Sequence, residues 1–469
     1  MTPELPDDVL ALAHALAGAS GPAGRAQVFL VGGALRDALL GRVPHDYDLA
    51  TDLTPEAVAR VARAHGWAAL PTGERFGTVS VIVFDRPIEV TTFRAEAEYA
   101  DGRRPASVSF VRDVRLDLAR RDFTVNAIAL ELPGGRWIDP FGGREDLRRR
   151  LLRTVGDPAE RFREDGLRLL RAVRLAAELL LRIEDATALA MAVHAEGLGR
   201  VAAERVGPEL QRLLLAPGAA EGLRRLVFSG LASVALPELV PAVGLPPDHE
   251  YHALPLFEHL VEVTRLVPPR PALRWAALFH DVAKPFCRTE EGGRVHYYGH
   301  DTLGAEMFAA AARRLRLERR VAEAAQQLIA RHMFTFDMGP KGMRRVVAQL
   351  GEEGARDLLA LKLADMAGTG GRFVGAAYDA FLAFRERFEA ALAEATAFTV
   401  RDLAVDGHDV MRELGLAPGP RVGRVLAVLL EEVLEDPAAN DRAHLLQRIR
   451  EIGASPEEGA GAGEGPARG

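Results

Sequence analysis

The sequence predicts an α+β protein in which a small head with a β-sheet comes first and purely helical domains follow. Short runs of β-forming residues end near residue 140. After Leu147, long Leu/Ala/Arg segments with a period of 3.6 residues take over. At 469 residues the chain is too long for one hydrophobic core, so several domains are expected.

The head is predicted from β-type runs that alternate with turn residues. Gln27 to Val31 is the first run, and a helix over Ala34 to Leu40 follows it. Val79 to Phe84 and Ile88 to Phe93 are two further runs. A hairpin turn at Asp85-Arg86-Pro87 is predicted to join them.

The composition indicates a globular protein without a membrane span. Apolar residues make up 48% of the chain, and no apolar run is long enough to cross a bilayer. Asp7 and Asp8 stand where a signal peptide has basic residues. Cys287 is the only cysteine and has no intramolecular partner. We therefore expect a cytoplasmic protein, and its net charge of −7 confines any nucleic-acid site to a local basic patch.

Changes in composition and proline-rich breaks divide the chain into six predicted segments. They are an N-terminal helix (1–26), the head (27–147), a helical neck (148–215), a helical body (216–395), a helical tail (396–452) and a disordered C-terminus (453–469). The last segment, rich in glycine, alanine and glutamate, lacks the residues that form a core.

Two aspartates in HDYDLATD are candidate metal ligands. If Asp46-Tyr-Asp-Leu49 is extended, Asp46 and Asp48 project from the same face of a strand. Two carboxylates at such a short distance repel each other unless a cation lies between them. Mg²⁺ binds carboxylate oxygens together with phosphate and water, so the pair would suit a metal-bound triphosphate. Two solvated aspartates on a loop are the alternative.

Glu89 favours the metal site. It interrupts a run of β-formers in PIEVTTF, and a carboxylate buried there needs a partner. Three carboxylates around two Mg²⁺ ions would form a centre for phosphoryl or nucleotidyl transfer. Further along, RRDFTVNA supplies arginines for phosphate or ribose, and Asp122 and Asn126 for hydroxyls.

Six motifs follow one another between Val28 and Leu180: VGGALRDALLG, HDYDLATD, IEVTTFRAEAEYADGRRPASVSF, RRDFTVNAIAL, IDPFGG and REDGLRLLRAVR. Together they resemble the class II tRNA nucleotidyltransferases, which rebuild the CCA end of tRNA and belong to the DNA polymerase β-like superfamily. The resemblance implies a polymerase β-like head with a mixed sheet, Mg²⁺ as cofactor, tRNA as partner, and ATP and CTP as substrates.

The resemblance also implies roles for single residues. Asp46 and Asp48 would bind Mg²⁺, and Glu89 would be the third catalytic carboxylate. The predicted nucleotide contacts in the head are Gly33, Arg36, Arg121, Asp122 and Asn126.

The family's EDxxR motif, which reads the incoming base, corresponds to Glu164-Asp165-Gly-Leu-Arg168. Residues three apart on a helix are neighbours on one face, so Asp165 would offer an acceptor beside the donors of Arg168. Cytosine and adenine carry an amino group next to a ring acceptor, whereas uracil and guanine place a carbonyl there. A wrong contact costs about 1–3 kcal/mol, so one pair could select C and A without a template.

Arg171 and Arg174 continue the series, and the resemblance makes both nucleotide contacts. Each step of three residues falls about 60° short of a full turn, so Arg174 is expected nearly opposite Asp165. A distorted helix, or contact with another part of the ligand, would then be needed.

The same segment has an apolar stripe and a basic surface. Leu169, Val173 and Leu180 are predicted to pack the helix. The range Arg144 to Arg174 contains ten arginines against six carboxylates. It predicts a basic patch for the backbone of the tRNA acceptor stem.

A second constellation lies in HALPLFEHLVEV, WAALFHDVAKP, YYGH, IARHMF and LKLADMAG. It resembles the HD phosphohydrolase superfamily. That superfamily usually has a glycine after HDx, and this sequence has Ala283 instead. The implied metal ligands are His259, His280, Asp281 and Asp365, with His300 and His332 nearby. Such ligands suit Mn²⁺, Ni²⁺, Fe²⁺ or Mg²⁺, and a metal-activated water could attack a phosphoester. Within the family the body acts on 2′,3′-cyclic or 2′-phosphates, or is only a scaffold.

The predicted function is addition of CMP and AMP to tRNA. The loop FRAEAEYADGRRPASVSF, which is shortened in CC-adding members, has its full length. A-only addition is the main alternative. A poly(A) polymerase usually has a basic C-terminal tail, and a regulatory uridylyltransferase with an HD domain would need UTP, which the Asp165/Arg168 pair disfavours. Intact Asp46, Asp48 and Glu89 argue against an inactive RNA-binding scaffold. The sequence leaves the oligomeric state open.

Overall fold

The computed structural model describes residues 3–22, 24–44, 46–73, 77–96, 108–247, 253–369 and 375–454. The chain forms two compact units. The first comprises the described residues up to Pro241 together with Ala311–Leu317, and the second comprises Ala242–Ala310 and the described chain from Glu318 onward. Within these ranges, no helix combines the length and the apolar character needed to cross a membrane.

The strands are β1 (Ser20–Gly21), β2 (Gly24–Arg25), β3 (Val28–Val31), β4 (Asp48–Thr51), β5 (Ala68–Gly73), β6 (Thr78–Val83), β7 (Arg86–Thr92), β8 (Arg94–Glu96), β9 (Val108–Phe110), β10 (Ala129–Glu131), β11 (Trp137–Ile138), β12 (Leu151–Leu152), β13 (Arg182–Ile183), β14 (Thr289–Glu291) and β15 (Arg294–His296).

The helices of the first unit are α1 (Asp7–Ala17), α2 (Gly33–Leu39), α3 (Pro55–Ala64), α4 (Val114–Ala119), α5 (Gly143–Arg148), α6 (Pro158–Glu164), α7 (Leu167–Leu179), α8 (Asp185–Val193), α9 (Ala203–Leu215), α10 (Ala219–Phe228) and α11 (Ala232–Ala235). Those that follow are α12 (Leu256–Leu266), α13 (Pro271–Phe279), α14 (Lys284–Cys287), α15 (His300–Arg314), α16 (Arg319–Arg331), α17 (Pro340–Ala367), α18 (Ala376–Ala393), α19 (Gly407–Leu414), α20 (Pro420–Glu435) and α21 (Arg442–Ala454).

A mixed sheet of seven strands dominates the head, in the order β11-β10-β3-β4-β7-β6-β5. β4 and β7 run parallel, whereas β3 and β4, and β6 and β7, pair antiparallel. All four residues of β3 are apolar and buried, as a central strand requires. The sheet and the helices after it confirm the predicted α+β fold. The six segment boundaries remain predictions.

The hairpin turn lies one residue earlier than predicted. Its two residues are Phe84 and Asp85, both with positive φ (46° and 67°), and Val83 pairs with Arg86. Two consecutive positive φ angles give the type I′ turn, whose twist matches a hairpin. Pro87 therefore belongs to β7 and not to the turn.

The helix α7 packs through an apolar face, but Leu180 does not belong to it. Leu169 and Val173 are fully buried as predicted. Leu180 was predicted wrongly: it follows the last helical residue with φ 55° and is 57% exposed. A left-handed residue at the end of a helix turns its side chain away from the helical stripe.

The second unit is mainly helical, and its apolar core includes two clusters. One contains Phe381, Phe384 and Phe388 of α18. The other, between α19, α20 and α21, is centred on Leu429 and Leu445. The predicted disorder from Gly453 begins too early, because Gly453 and Ala454 still belong to α21; residues 455–469 lie outside the described residues.

Candidate functional site

Asp48 and Glu89 occupy neighbouring positions on two parallel strands. Asp48 is the first residue of β4, and its partner in the register is Glu89 of β7. Their side chains therefore leave the same face of strands that lie about 4.8 Å apart. Asp46 precedes β4 and is exposed, so the predicted strand over residues 46–49 begins only at Asp48.

The reason given for Glu89 was wrong. Glu89 is exposed, because the buried face of β7 is formed by its neighbours Ile88 and Val90. No burial cost forces Glu89 to find a partner. The position beside Asp48 instead follows from the strand register.

Electrostatics at Asp48 favour a cation. Burial raises the pKa of Asp48, the charges of Glu89 and Asp46 raise it further, and the Arg121 guanidinium opposes them. A divalent ion beside these carboxylates would offset their repulsion. The ligand atoms of Asp46, Asp48 and Glu89 do not all lie within 4.8 Å of one another. Among the described residues, this spacing is found for groups in the second unit.

The turn before α2 brings backbone close to Asp48. Gly32 has φ 76°, and a Cβ at this position would lie 3.0 Å from Nη1 of Arg121 and 3.7 Å from Oδ2 of Asp48. Only glycine leaves this space open. Gly33 begins α2, which carries Arg36 towards Asn126.

Predicted residues of RRDFTVNA connect this turn to the neck. Arg36 donates to Oδ1 of Asn126 (2.8 Å), and Nδ2 of Asn126 donates to Oδ1 of Asp122 (2.9 Å). Arg171 donates twice to Oδ2 of Asp122 (2.9 and 2.7 Å). Burial alone would raise the pKa of Asp122, but the Arg171 guanidinium and the Asn126 amide lower it to about 2.

Two glutamates extend the ion pairs along the neck. Arg171 lies 3.8 Å from Glu209, which also pairs with Arg174. Arg174 further pairs with Glu178, and Arg212 donates to the same carboxylate at 3.0 Å. Neither glutamate was predicted from the sequence. The sequence contains a signal for one of these ion pairs: Arg174 and Glu178 are four residues apart on one helix, a spacing that favours a salt bridge.

Asp165 does not lie on a helix with Arg168. Asp165 follows α6 with extended backbone (φ −146°, ψ 107°), and α7 begins at Leu167. The predicted helical neighbourhood of Asp165 and Arg168 is therefore wrong. The expectation that Arg174 points away from Asp165 fails for the same reason, because the two residues share no helix.

Both side chains nevertheless face one pocket, each fixed by its own partners. Oδ1 of Asp165 accepts from the Leu167 backbone (3.0 Å), and Oδ2 accepts from Arg205 (2.6 Å). Arg168 donates to the carbonyls of Arg120 (3.1 Å) and Arg161 (3.2 Å), and it pairs with Glu164.

This space, called the arginine pocket here, is open and has a volume of about 480 Å³. It is lined by Gly32, Gly33, Arg36, Asp48, Arg120, Arg121, Asp122, Asn126, Asp165, Leu167, Arg168, Arg171, Arg174, Leu175, Arg205 and Arg212. Many cationic groups beside one carboxylate of a candidate metal site suit a triphosphate. Arg205 and Arg212 were not predicted as site residues, although a separation of seven positions places them on the same face of α9.

In the second unit the predicted HD ligands come together. Nε2 of His259 lies 3.2 Å from Oδ1 of Asp365 and 3.6 Å from Oδ2 of Asp281. Nε2 of His280 lies 3.4 Å from the same oxygen of Asp281. The four ligand atoms all lie within 4.8 Å of one another.

His300 and His332 complete a second group on the same aspartate. Their Nε2 atoms lie 3.1 and 3.6 Å from Oδ1 of Asp281, the oxygen opposite to the one that faces His259 and His280. Asp281 could thus contribute one oxygen to each of two metal positions. The histidine cluster is defined here as His259, His280, Asp281, His300, His332 and Asp365.

The histidines are oriented as metal ligands are. In each of the four, Nδ1 lies within hydrogen-bond distance of a backbone carbonyl, and Nε2 faces the cluster. The carbonyls belong to Gly368 (3.0 Å), Ala277 (2.9 Å), Tyr297 (2.6 Å) and Ile329 (2.7 Å). A proton held at Nδ1 makes Nε2 the nitrogen that would bind a metal. The residues therefore fit a divalent ion.

Two of the chain's three lysines contact this cluster. Nζ of Lys284 lies 2.5 Å from Asp281, and Nζ of Lys362 lies 3.5 Å from Asp365. Burial alone would lower the pKa of His280, but Asp281 and Asp365 raise it to about 10. Ala283 fits the turn without glycine, since its φ is −85°.

Comparison with known families divides the chain in the same way. Residues 28–153 match the Poly A polymerase head domain, and residues 181–243 match a probable RNA and SrmB-binding site of polymerase A. The HD domain matches residues 256–367, and a putative tRNA nucleotidyltransferase domain 2 matches residues 387–449. Both kinds of catalytic domain depend on divalent metal ions.

Similar proteins carry several specificities in their names. The A-adding tRNA nucleotidyltransferase of Deinococcus radiodurans is 40% identical over 86% of this chain and 90% of its own. The CC-adding tRNA nucleotidyltransferase of Thermus thermophilus is 38% identical over 87% and 89%. The crystal structure of the Bacillus stearothermophilus CCA-adding enzyme in complex with CTP superposes with a TM-score of 0.68 at 28% identity, covering 95% of this chain and 96% of that one. With its two catalytic domain matches and these near full-length relatives, the chain belongs to the class II tRNA nucleotidyltransferases that carry an HD domain.

Proposed function

We propose that this protein adds CMP and AMP to the 3′ end of tRNA without a nucleic-acid template. The observation that carries the proposal is the arginine pocket. It joins the Gly32 turn, the metal-site carboxylate Asp48 and the pair Asp165 and Arg168 in a single space. A nucleoside triphosphate has the matching parts, namely phosphates, a metal-binding face and a base.

Asp46, Asp48 and Glu89 would hold Mg²⁺ in the head. Bound there, Mg²⁺ would activate the 3′-hydroxyl of tRNA and neutralise the charge of the departing pyrophosphate. Arg36 and Arg121 line the arginine pocket together with Asp48 and would contact the phosphates of the incoming nucleotide.

Asp165 and Arg168 would read the base. The carboxylate would accept from the amino group of cytosine or adenine, and the guanidinium would donate to the adjacent ring nitrogen. Uracil and guanine present a carbonyl oxygen to the carboxylate, which leaves two acceptors facing each other and costs about 1–3 kcal/mol.

Labelled nucleotides test this function. The protein is incubated with tRNA that lacks CCA, with tRNA ending in C and with tRNA ending in CC, and each of the four nucleotides is supplied separately. We expect label from CTP on the first two substrates and from ATP on the third. Absence of incorporation on all three substrates would contradict the proposal.

Addition of AMP alone is the second candidate, supported by the 40% identity to the A-adding enzyme over most of both chains. The same assay separates the two, since an A-adding enzyme uses ATP on the CC-ended tRNA and leaves the other substrates unlabelled. The loop that distinguishes CC-adding members falls partly on residues 97–107, outside the described residues.

For the second unit we propose a divalent metal centre at the histidine cluster, with Mn²⁺, Ni²⁺, Fe²⁺ or Mg²⁺ as the ion and hydrolysis of a phosphoester as its activity. The support is the orientation of four imidazoles towards Asp281 and Asp365. Metal analysis of the purified protein and hydrolysis of nucleoside 2′,3′-cyclic phosphate test the two parts separately.

The remaining expectations concern partners and location. The basic segment from Arg144 to Arg174 would contact the tRNA backbone. The single cysteine supports the cytoplasm as the compartment.

A further inference from the structure

We propose that Arg205 of α9 is a positioning residue for base selection: it holds the Asp165 carboxylate in the orientation that accepts from the amino group of cytosine or adenine. The inference rests on the proposed function, since it concerns the nucleotide that enters the arginine pocket. It adds a residue outside the EDxxR motif and 40 positions away from Asp165 in the chain.

Asp165 depends on its side-chain partners for its orientation. It lies between α6 and α7 with extended backbone, so the direction of its side chain is set by the donors that its two oxygens meet. Oδ1 accepts from the backbone of Leu167 at 3.0 Å, and Oδ2 accepts from Nη2 of Arg205 at 2.6 Å. Two donors on different helices therefore fix both oxygens, and the plane of the carboxylate cannot turn without breaking one of these bonds.

The contact with Arg205 leaves room for a base. An ionised carboxylate offers about four lone-pair sites, and these two donors occupy two of them. Arg205 itself lines the arginine pocket, beside Asp165 and Arg168. The acceptor thus stays available on the pocket side while Arg205 holds it in place.

The donor half of the pair is fixed independently. Arg168 is held by the carbonyls of Arg120 and Arg161 and by Glu164. The distance between acceptor and donor, and hence the choice of base, therefore depends on how Asp165 is held. Arg205 is the residue of α9 whose side chain pairs with Asp165.

Removing Arg205 should weaken discrimination between bases. With Leu167 as its remaining fixed donor, the Asp165 carboxylate can turn towards Arg171, whose pKa it already raises as one of several acidic neighbours. A carboxylate turned away no longer opposes the carbonyl of uracil or guanine. We expect Arg205→Ala to lower the ratio of kcat/KM for CTP over UTP by about tenfold or more, the size of one charged hydrogen bond.

A purely structural ion pair would behave differently. If Arg205 only ties α9 to the segment between α6 and α7, its removal lowers the Tm and leaves the choice of nucleotide unchanged. Arg225→Ala is the matched control. Arg225 pairs with Glu221 on α10 and donates to the carbonyl of Leu181, away from the arginine pocket. We expect this control to keep the selectivity of the unmodified protein.

The experiment measures single-turnover addition to tRNA ending in C with CTP or UTP, and to tRNA ending in CC with ATP or GTP. The variants are Arg205→Ala, Asp165→Ala and the double variant. We expect Arg205→Ala to reduce selectivity, and to reduce it no further when Asp165 is already alanine. Unchanged selectivity in Arg205→Ala, or a further loss in the Asp165→Ala background, would overturn the proposal.

Two provisions keep the test decisive. If Arg205→Ala fails to fold, Arg205→Met replaces it, since methionine fills much of the same space and has no hydrogen-bond donor; unchanged selectivity in that variant overturns the proposal equally. If the unmodified protein adds no nucleotide to any tRNA, the proposed function fails. If it adds nucleotides and the Arg205 variants stay selective, only the inference about Arg205 fails.

Discussion

The arginine pocket and the histidine cluster hold their functional side chains in opposite ways. In the pocket, long arginines are fixed by carboxylates and backbone carbonyls from several helices and the segments between them. In the cluster, short buried side chains are fixed by single carbonyls near their own helix ends or on a neighbouring turn. The pocket is an open space, whereas His259, His280 and His332 are almost fully buried.

This difference matches two kinds of ligand. Arginines that already have anionic partners can exchange them for phosphates and bases of a large substrate, which must enter and leave. Buried imidazoles that turn their Nε2 atoms towards two shared aspartates suit a small ion that stays bound. Each centre can therefore be destroyed without the other.

The largest effect is expected at Asp48. Asp48→Ala removes the carboxylate that both lines the arginine pocket and faces Glu89. Nucleotide addition should fall by about a thousandfold or more, because metal stabilisation of a transferring phosphoryl group contributes several kcal/mol. Single-turnover kinetics on tRNA ending in CC measure the loss.

The control for this variant is Asp52→Asn. Asp52 lies just beyond β4 and accepts from the Gln27 backbone at 2.8 Å, which an asparagine oxygen can also do. Addition should persist in the control. Bound metal in the second unit should be the same in both variants, and a parallel loss in Asp48→Ala would contradict two separate centres.

The next effect concerns the histidine cluster. His280→Ala removes an imidazole shared between Asp281 and Asp365. Affinity for a divalent ion should fall by about 100-fold or more. Removing a residue that only hydrogen-bonds a metal ligand already lowers metal affinity by about 10–100-fold. Titration calorimetry with Mn²⁺ measures it, and His408→Ala, an exposed histidine of α19, is the control. A parallel fall in nucleotide addition would contradict two independent centres.

Asp122 gives a smaller effect that depends on pH. Its pKa is about 2 in the folded chain and near 3.8 when unfolded, so its ionised form stabilises the fold above about pH 4, and this contribution disappears as the pH falls towards 2. Asp122→Asn should therefore cost about 2 kcal/mol at pH 6. At pH 3 the difference should be about half as large.

Urea unfolding of both proteins at the two pH values measures this difference. The comparison between pH values removes the part of the effect that comes from the altered shape of the side chain. An equal difference at pH 6 and pH 3 would show that the charge of Asp122 contributes nothing beyond its hydrogen bonds.

Short-range patterns in the sequence predicted the parts of each site but not how the parts are held. The alternation of β-formers around Glu89 predicted β7, and the order of histidines and aspartates predicted the cluster. The extended backbone at Asp165 was missed because two helices that meet at Gly166 look like one continuous helical run. Gly166 has no room for a side chain, since a Cβ would lie 2.4 Å from the carbonyl of Gly197.

Contacts between distant segments were the least predictable. Arg205 and Glu209 reach Asp165, Arg171 and Arg174 only because α9 packs beside α7. Nothing in the local sequence of α9 tells which charges lie across from it. Leu180 shows the same limit, because the left-handed end of α7 reverses a side chain that the helical period would bury.

The most direct test of base selection is single-turnover addition by the Asp165→Ala variant to tRNA ending in C, with CTP and UTP compared at equal concentration. If the aspartate chooses the base, CMP addition slows and the preference over UMP falls by about tenfold or more. A variant that adds CMP as selectively as the unmodified protein would contradict that account.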